Sequence, residues 1–260
     1  MYKSKTAQQK AHTAHYSRVL QYFASDDNLA KTIWYEPLQL KEKIVPQIPS
    51  SALSTSPVVD VVVENDDVIE CARRLIQQGH NPLVLNLASN FKPGGGVDRG
   101  RIAQEESLFL RSNYYTFLDS RQYPLDGKMA YSPGVQFLWN MDHEKLHSND
   151  QVLVSCLAAA ALKDPPTNGP ESYKKSSDAE FMQTMCDNIF KVAILHGHDS
   201  LVLGALGCGV YHNPPIAVAG YFANAIRKWG SKFQHITFAI KEDRSNEYLG
   251  RIFRQTLNVS

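Results

Sequence analysis

The sequence predicts an α/β fold of three layers, with helices on both faces of a central sheet. Two observations carry the prediction. From Pro57 onward, short apolar or β-branched runs alternate with stretches of helical periodicity, the pattern of repeated strand–helix units. Two glycine-rich loops, at 94–96 and 204–209, directly follow such runs. Open α/β sheets bind ligands there, beyond the carboxyl ends of the strands.

The elements follow in order. Residues 7–24 spell a polar helix with Tyr16, Val19, Leu20 and Phe23 on one face. The Pro- and Ser-rich stretch 41–57 reads as an extended segment. Residues 1–57 are therefore expected to form a helical and extended N-terminal extension on or near the core, and residues 58–260 the core domain. Residues 58–63 predict a strand, and Asp66 or Asp67 caps a helix running to about Gln78, which Gly79 ends. Residues 83–88 are apolar almost throughout, as in a strand covered on both faces. A helix is expected over 103–118, strands over 131–137 and 151–157, and a long polar loop over 163–178. The chain then predicts a helix over 179–196, a strand over 201–205, a helix over 216–228, a strand over 235–240 and a helix over 246–256.

Composition bounds the function. Hydrophobic residues make up 43% and charged residues 20%, enough to bury a core. A formal net charge of +1 gives no support to a strongly basic duplex binder or a polybasic membrane protein. No apolar run approaches the ~18–20 residues that span a bilayer, and the N-terminus lacks a signal-type apolar segment. Cys71, Cys156, Cys186 and Cys208 form no CxxC pair. An intracellular chain with reduced thiols is expected.

The chemistry concentrates in the two loops. Gly94, Gly95 and Gly96 permit positive φ, so that successive N–H groups can form a concavity for phosphate or sugar oxygens. Three glycines alone are more often a turn, but Gln104-Glu105-Glu106 follow at a helix start. Two acids there also suit the helix dipole. Neighbours on a helix diverge by about 100°, so one carboxylate can hold hydroxyls while the other handles a proton. The second loop, LGALGCGVYHNPP (203–215), lies between a strand and a helix, a geometry for a pyrophosphate at a helix N-terminus. It has neither the GxGxxG nor the GxxxxGK[ST] spacing. Cys208 has no evident base and reads as a small buried residue. His196, His198 and His212 form no metal-ligand pattern.

The arrangement GGG-x7-QEE (94–106) resembles the signature of poly(ADP-ribose) glycohydrolases, and GALGCGVYHNPP resembles the diphosphate loop of their macrodomain fold. The short bacterial-type, microbial branch fits best. The similarity runs from about 58 to 253 and includes YSPGV (131–135), HGHDSLVLGALGCG (196–209) and FAI (238–240).

The resemblance implies a macrodomain with a mixed central sheet and hydrolysis of the ribose–ribose bond of poly(ADP-ribose), releasing ADP-ribose. It implies Glu106 as the catalytic acid, with Glu105 orienting the ribose. Gly94, Gly95, Gly96, Val97 and Gln104 would line the sugar side. Gly204, Gly207, Cys208, Gly209, Val210 and Tyr211 would wrap the diphosphate. The aromatic that stacks on adenine is left open between Phe238, Tyr211 and the N-terminal segment. No metal and no cofactor are implied. The expected partners are poly(ADP-ribose) or ADP-ribosylated macromolecules as substrate and ADP-ribose as product, with no membrane partner and a monomeric chain.

The sequence departs from the family at three places. Lys92 stands where relatives carry Asn, with Asn90 two residues earlier as a substitute. Leu206 replaces a frequent Trp, and His212 a small residue. Two alternatives stay open: a hydrolase of single ADP-ribose units on protein or nucleic acid, and a reader that binds without cutting. Readers lack the QEE pair, so Glu105 and Glu106 favour catalysis.

Overall fold

The computed structural model describes residues 5–37, 59–242 and 247–259. The expected extended stretch 41–57 and Val58 lie outside the described residues. In chain order the elements are α1 (Lys5–Tyr22), β1 (Ile33–Tyr35), β2 (Asp60–Glu64), α2 (Val68–Gln77), β3 (Pro82–Leu87), α3 (Gln104–Arg111), β4 (Met129–Phe137) and β5 (Val152–Ala159). They continue with β6 (Thr167–Asn168), β7 (Ser172–Tyr173), α4 (Ser176–Leu195), β8 (Ser200–Leu203), α5 (Pro215–Trp229), β9 (His235–Ala239) and α6 (Glu247–Leu257).

Seven strands form one mixed sheet in the order β1-β4-β5-β3-β8-β9-β2. β5, β3, β8, β9 and β2 run parallel, whereas β1 and β4 pair antiparallel. Strand β3 sits at the centre, and alternation along it feeds both faces. Leu83 and Leu85 enter one apolar cluster with Phe190, Phe222 and Phe253. Val84 enters the opposite cluster with Ile69, Leu108 and Phe109. Helices cover both faces, as the three-layer reading requires.

Two elements differ from expectation. The helix expected over 103–118 stops at Arg111. There the Ser112 hydroxyl donates to the Leu108 carbonyl at 2.7 Å, Ser112 turns extended and it bridges to Phe137. A side chain that bonds locally to the backbone offers the chain a way out of the helix. The polar loop 163–178 contains the β6–β7 hairpin, turned at Gly169 with φ +65°.

Residues 5–37 pack onto the sheet and the loop before α3. β1 extends the main sheet by pairing Ile33–Tyr35 with Met129–Tyr131. α1 lies along the loop before α3: His12 Nδ1 donates to the Gly100 carbonyl at 3.2 Å, and His15 Nε2 to the Leu110 carbonyl at 2.9 Å. Gly100 has φ +69°, and a Cβ there would fall 2.2 Å from the Gln9 carbonyl oxygen. The helix therefore rests directly on the glycine. No described helix is long and apolar enough to cross a membrane.

Candidate active site

The acids sit where β3 hands over to α3. Gln104, the first residue of α3, joins the two elements: its Nε2 donates to the Leu85 carbonyl at 2.7 Å and its Oε1 accepts from Leu87 N at 3.0 Å. β8 pairs with β3 only from Pro82 to Val84, so the Gln104 amide takes over that edge of the strand. Its side-chain polarity is spent on the backbone, which makes it a brace for the helix start.

Glu105 and Glu106 are both buried, at 4% and 7% exposure. Glu105 Oε2 accepts from Ser89 N at 2.8 Å; its Oε1 accepts from Gly94 N at 3.2 Å and from Asn86 Nδ2 at 3.4 Å. Glu106 Oε1 accepts from Gly96 N at 2.8 Å, and its Oε2 reaches back to Ala103 N at 2.9 Å, the carboxylate half of a capping box. The glycine loop thus points N–H groups at the protein's own acids. This corrects the expectation that the amides of Gly94 and Gly96 are free for ligand oxygens.

The glycines are required by space as well as by conformation. Gly94 and Gly95 have φ of +71° and +53°. A Cβ on Gly95 would stand 2.8 Å from Glu106 Oε1 and 3.0 Å from Glu105 Oε2, so any side chain there displaces the acids. Burial pushes the Glu105 carboxyl up to about 8, and the neighbouring Glu106 charge adds to the rise; the bonds from Ser89, Asn86 and Gly94 oppose it.

The second loop is built differently. Gly207 has φ +73°, and a Cβ there would meet Ala161 Cβ at 2.4 Å and Asn213 Nδ2 at 2.5 Å. Asn213 clamps the loop from inside. Its Nδ2 donates to the carbonyls of Leu162, Gly207 and Tyr211, and its Oδ1 accepts from the Tyr173 hydroxyl at 2.8 Å. Sequence reasoning passed over Asn213, although an Asn before two prolines is a turn signal. The N–H groups of Gly209, Val210 and Tyr211 have no hydrogen-bond partner among the described residues. Three successive open amides suit a diphosphate.

The α5 N-terminus offers fewer open donors. It begins at Pro215 after Pro214, neither of which has an N–H, and Ile216 N donates to the Pro170 carbonyl. Of the first turn of α5, Ala217 N has no hydrogen-bond partner among the described residues, so most of the open donors lie in the loop and one at the helix end.

The remaining expected residues divide between cleft and core. Tyr211 links the two loops, its hydroxyl accepting from Asn90 N at 3.2 Å, and Val210 is 69% exposed beside it. The Asn90 side chain is turned away onto Asp126, donating to its carboxylate and accepting from its N–H. Lys92 pairs with Asp98 at 2.7 Å. Gly204 abuts Leu87 under the loop. Cys208 is buried, and burial pushes its thiol up.

Two expected binding residues lie in the core instead. Val97 is buried in the apolar cluster with Phe109. Phe238 is fully buried between Phe222 and Phe253, with ring centroids at 5.2 and 5.5 Å. Neither face of its ring is open to an adenine.

Residues 3–140 match the family model described as microbial-type PARG, catalytic domain. No curated protein matches the chain. Among solved structures, poly(ADP-ribose) glycohydrolase from Thermomonospora curvata is similar at TM-score 0.80 and 22% identity, over 95% of this chain and 99% of that one. The same organism's protein bound to the inhibitor ADP-HPD is similar at TM-score 0.77 and 23% identity, over 95% and 99%. Poly(ADP-ribose) glycohydrolase from Deinococcus radiodurans in complex with ADP-ribose is similar at TM-score 0.72 and 25% identity, over 88% and 95%.

Proposed function

This chain belongs to the microbial-type poly(ADP-ribose) glycohydrolase family, and we propose that its carboxyl pair cuts the ribose–ribose bond of poly(ADP-ribose), with Glu106 moving the proton. The enzyme is a glycoside hydrolase that releases ADP-ribose. The observation that carries the assignment of roles is the pairing of two buried acids, each gripped by the same glycine loop, with a second loop that leaves three successive amides open.

In this reading the amides of Gly209, Val210 and Tyr211 hold the diphosphate. The polymer's terminal ribose then lies beside Gly95, whose missing Cβ leaves the space next to both acids open. Glu106 gives its proton to the departing ribose oxygen as the C–O bond breaks and positive charge develops on the anomeric carbon. Its carboxylate then accepts a proton from the water that adds to that carbon, which restores the acid. Glu105 accepts hydrogen bonds from the ribose hydroxyls and fixes the sugar's orientation. General acid–base work of this kind contributes roughly 10²–10⁴-fold.

The test is ADP-ribose release from purified poly(ADP-ribose) by wild type and by Glu106→Gln, with a mono-ADP-ribosylated protein run beside it. Glu106→Gln is expected to lose at least about 100-fold in turnover while ADP-ribose affinity stays within a few-fold. Equal turnover in the variant would remove Glu106 from this role. Release from the mono-ADP-ribosylated protein alone would identify a hydrolase of single units.

A further inference from the structure

Asn86 is the one polar side chain in the central strand sequence Pro-Leu-Val-Leu-Asn-Leu, and it is fully buried. A buried amide with nothing to do costs stability, so its retention calls for a physical reason. Its Nδ2 donates to Glu105 Oε1 at 3.4 Å, while its Oδ1 has no partner among the described residues. Two more sealed polar groups lie nearby: the hydroxyls of Tyr114 and Tyr123 are buried and make no hydrogen bond among the described residues. Tyr114 is a polar neighbour of Asn86 without meeting bonding geometry. The Glu105 charge is felt at both phenols.

The distribution of donors over the Glu105 carboxylate is uneven. Each oxygen has two acceptor positions. Oε1 is filled by Gly94 N and Asn86 Nδ2, whereas Oε2 receives only Ser89 N. The under-filled Oε2 is also the oxygen lying against Gly95, where the sugar sits in the proposed reaction. We infer that Asn86 is a positioning residue for Glu105: its amide completes Oε1 and so leaves Oε2 as the oxygen offered to the ribose. This inference rests on the role proposed for Glu105 above.

The same contact acts on charge. The titratable groups facing Glu105 are Glu106 beside it, Tyr114 and Tyr123 from the segment after α3, and Tyr16 from α1. None of these is a cation. Among the described residues, the hydrogen bonds that favour the ionised form of Glu105 come from Ser89 N, Gly94 N and Asn86. The amide bonds the ionised carboxylate more strongly than the neutral acid, so without it the carboxyl keeps its proton to higher pH.

The experiment is an infrared titration of the substrate-free protein. The band of a protonated buried carboxyl is assigned to Glu105 by its loss in Glu105→Gln and followed with pH in wild type, Asn86→Leu and Asn86→Ser. Serine is too short to reach Oε1 and keeps the fold testable should the leucine variant not fold. Both variants are expected to move the ionisation midpoint upward by about one pH unit, a tenfold change in ionised fraction at a given pH. They are also expected to weaken ADP-ribose binding about tenfold. A lowered melting temperature with an unmoved midpoint would assign Asn86 a purely structural role and overturn the inference. The titration needs no substrate, so its outcome stands apart from whether wild type cleaves the polymer.

Discussion

Glu105 and Glu106 are adjacent in the chain yet meet different surroundings. Glu105 is held between Ser89, Gly94 and Asn86 under the sheet edge, while Glu106 spans from Gly96 to its own helix start. The consequence for stability has a definite sign. Folded Glu105 keeps its proton to about 8, against an ordinary value of 4.5. Between these limits the folded chain binds more protons than the unfolded one, so this group's contribution weakens as pH rises through that window. Glu105→Gln has no proton to lose, so its stability relative to wild type is expected to improve by on the order of a few kcal/mol between pH ~5 and pH ~8, whatever the fixed cost of setting an amide NH2 against these N–H donors. Thermal melts of both proteins at the two pH values check the change in the difference. At this scale the glycines and acids were legible because their spacing is local. Asn86 was not: its partner Glu105 lies 19 residues away, and only its polarity within an apolar run marks it. Phe238 misled for the converse reason, because an aromatic near a site says nothing about which face of the strand it takes.

The position of α3 depends on α2. Asp67 caps α2, accepting from Ile69 N and Glu70 N at 3.0 and 3.3 Å. The same carboxylate accepts from Arg111 Nη2 at 2.9 and 3.0 Å at the far end of α3. Arg111 is 2% exposed, so the pair cannot be replaced by water. Asp67→Ala removes a cap and strands a buried guanidinium. The expected loss is about 3–5 kcal/mol, visible as a lower denaturant midpoint in equilibrium unfolding. The cap was legible from Asp66-Asp67 before an apolar helical face, but its second role was not, because residue 111 is 44 positions away. β1 was also hidden. Three residues, Ile33-Trp34-Tyr35, carry too little periodicity to announce a strand, and only the free edge of β4 makes them one. α1 was legible as a helix from its apolar face. That it rests on Gly100 required the fold.

Strand order decides what can stand alone. The family match ends at residue 140, but β3, which leads into the acids, is paired on one side by β5 and on the other by β8. Both lie beyond residue 140. A fragment of residues 1–140 is therefore expected to lack a cooperative thermal transition in circular dichroism, with the full chain as the comparison. A fragment that melts cooperatively would contradict this account of the sheet. The alternation of strand and helix was legible as a whole, because each unit is short and regular. The order of strands was not, since nothing local tells β2 that its neighbour is β9, with Asp60 opposite His235. The same pairing sets a schedule for a chain emerging from the ribosome. Glu105 and Glu106 are translated more than a hundred residues before the last strand that closes the sheet. Until β5 and β8 emerge, the strand that leads into these acids has neither of its two neighbours, so the frame of the site is set only after most of the chain has been made.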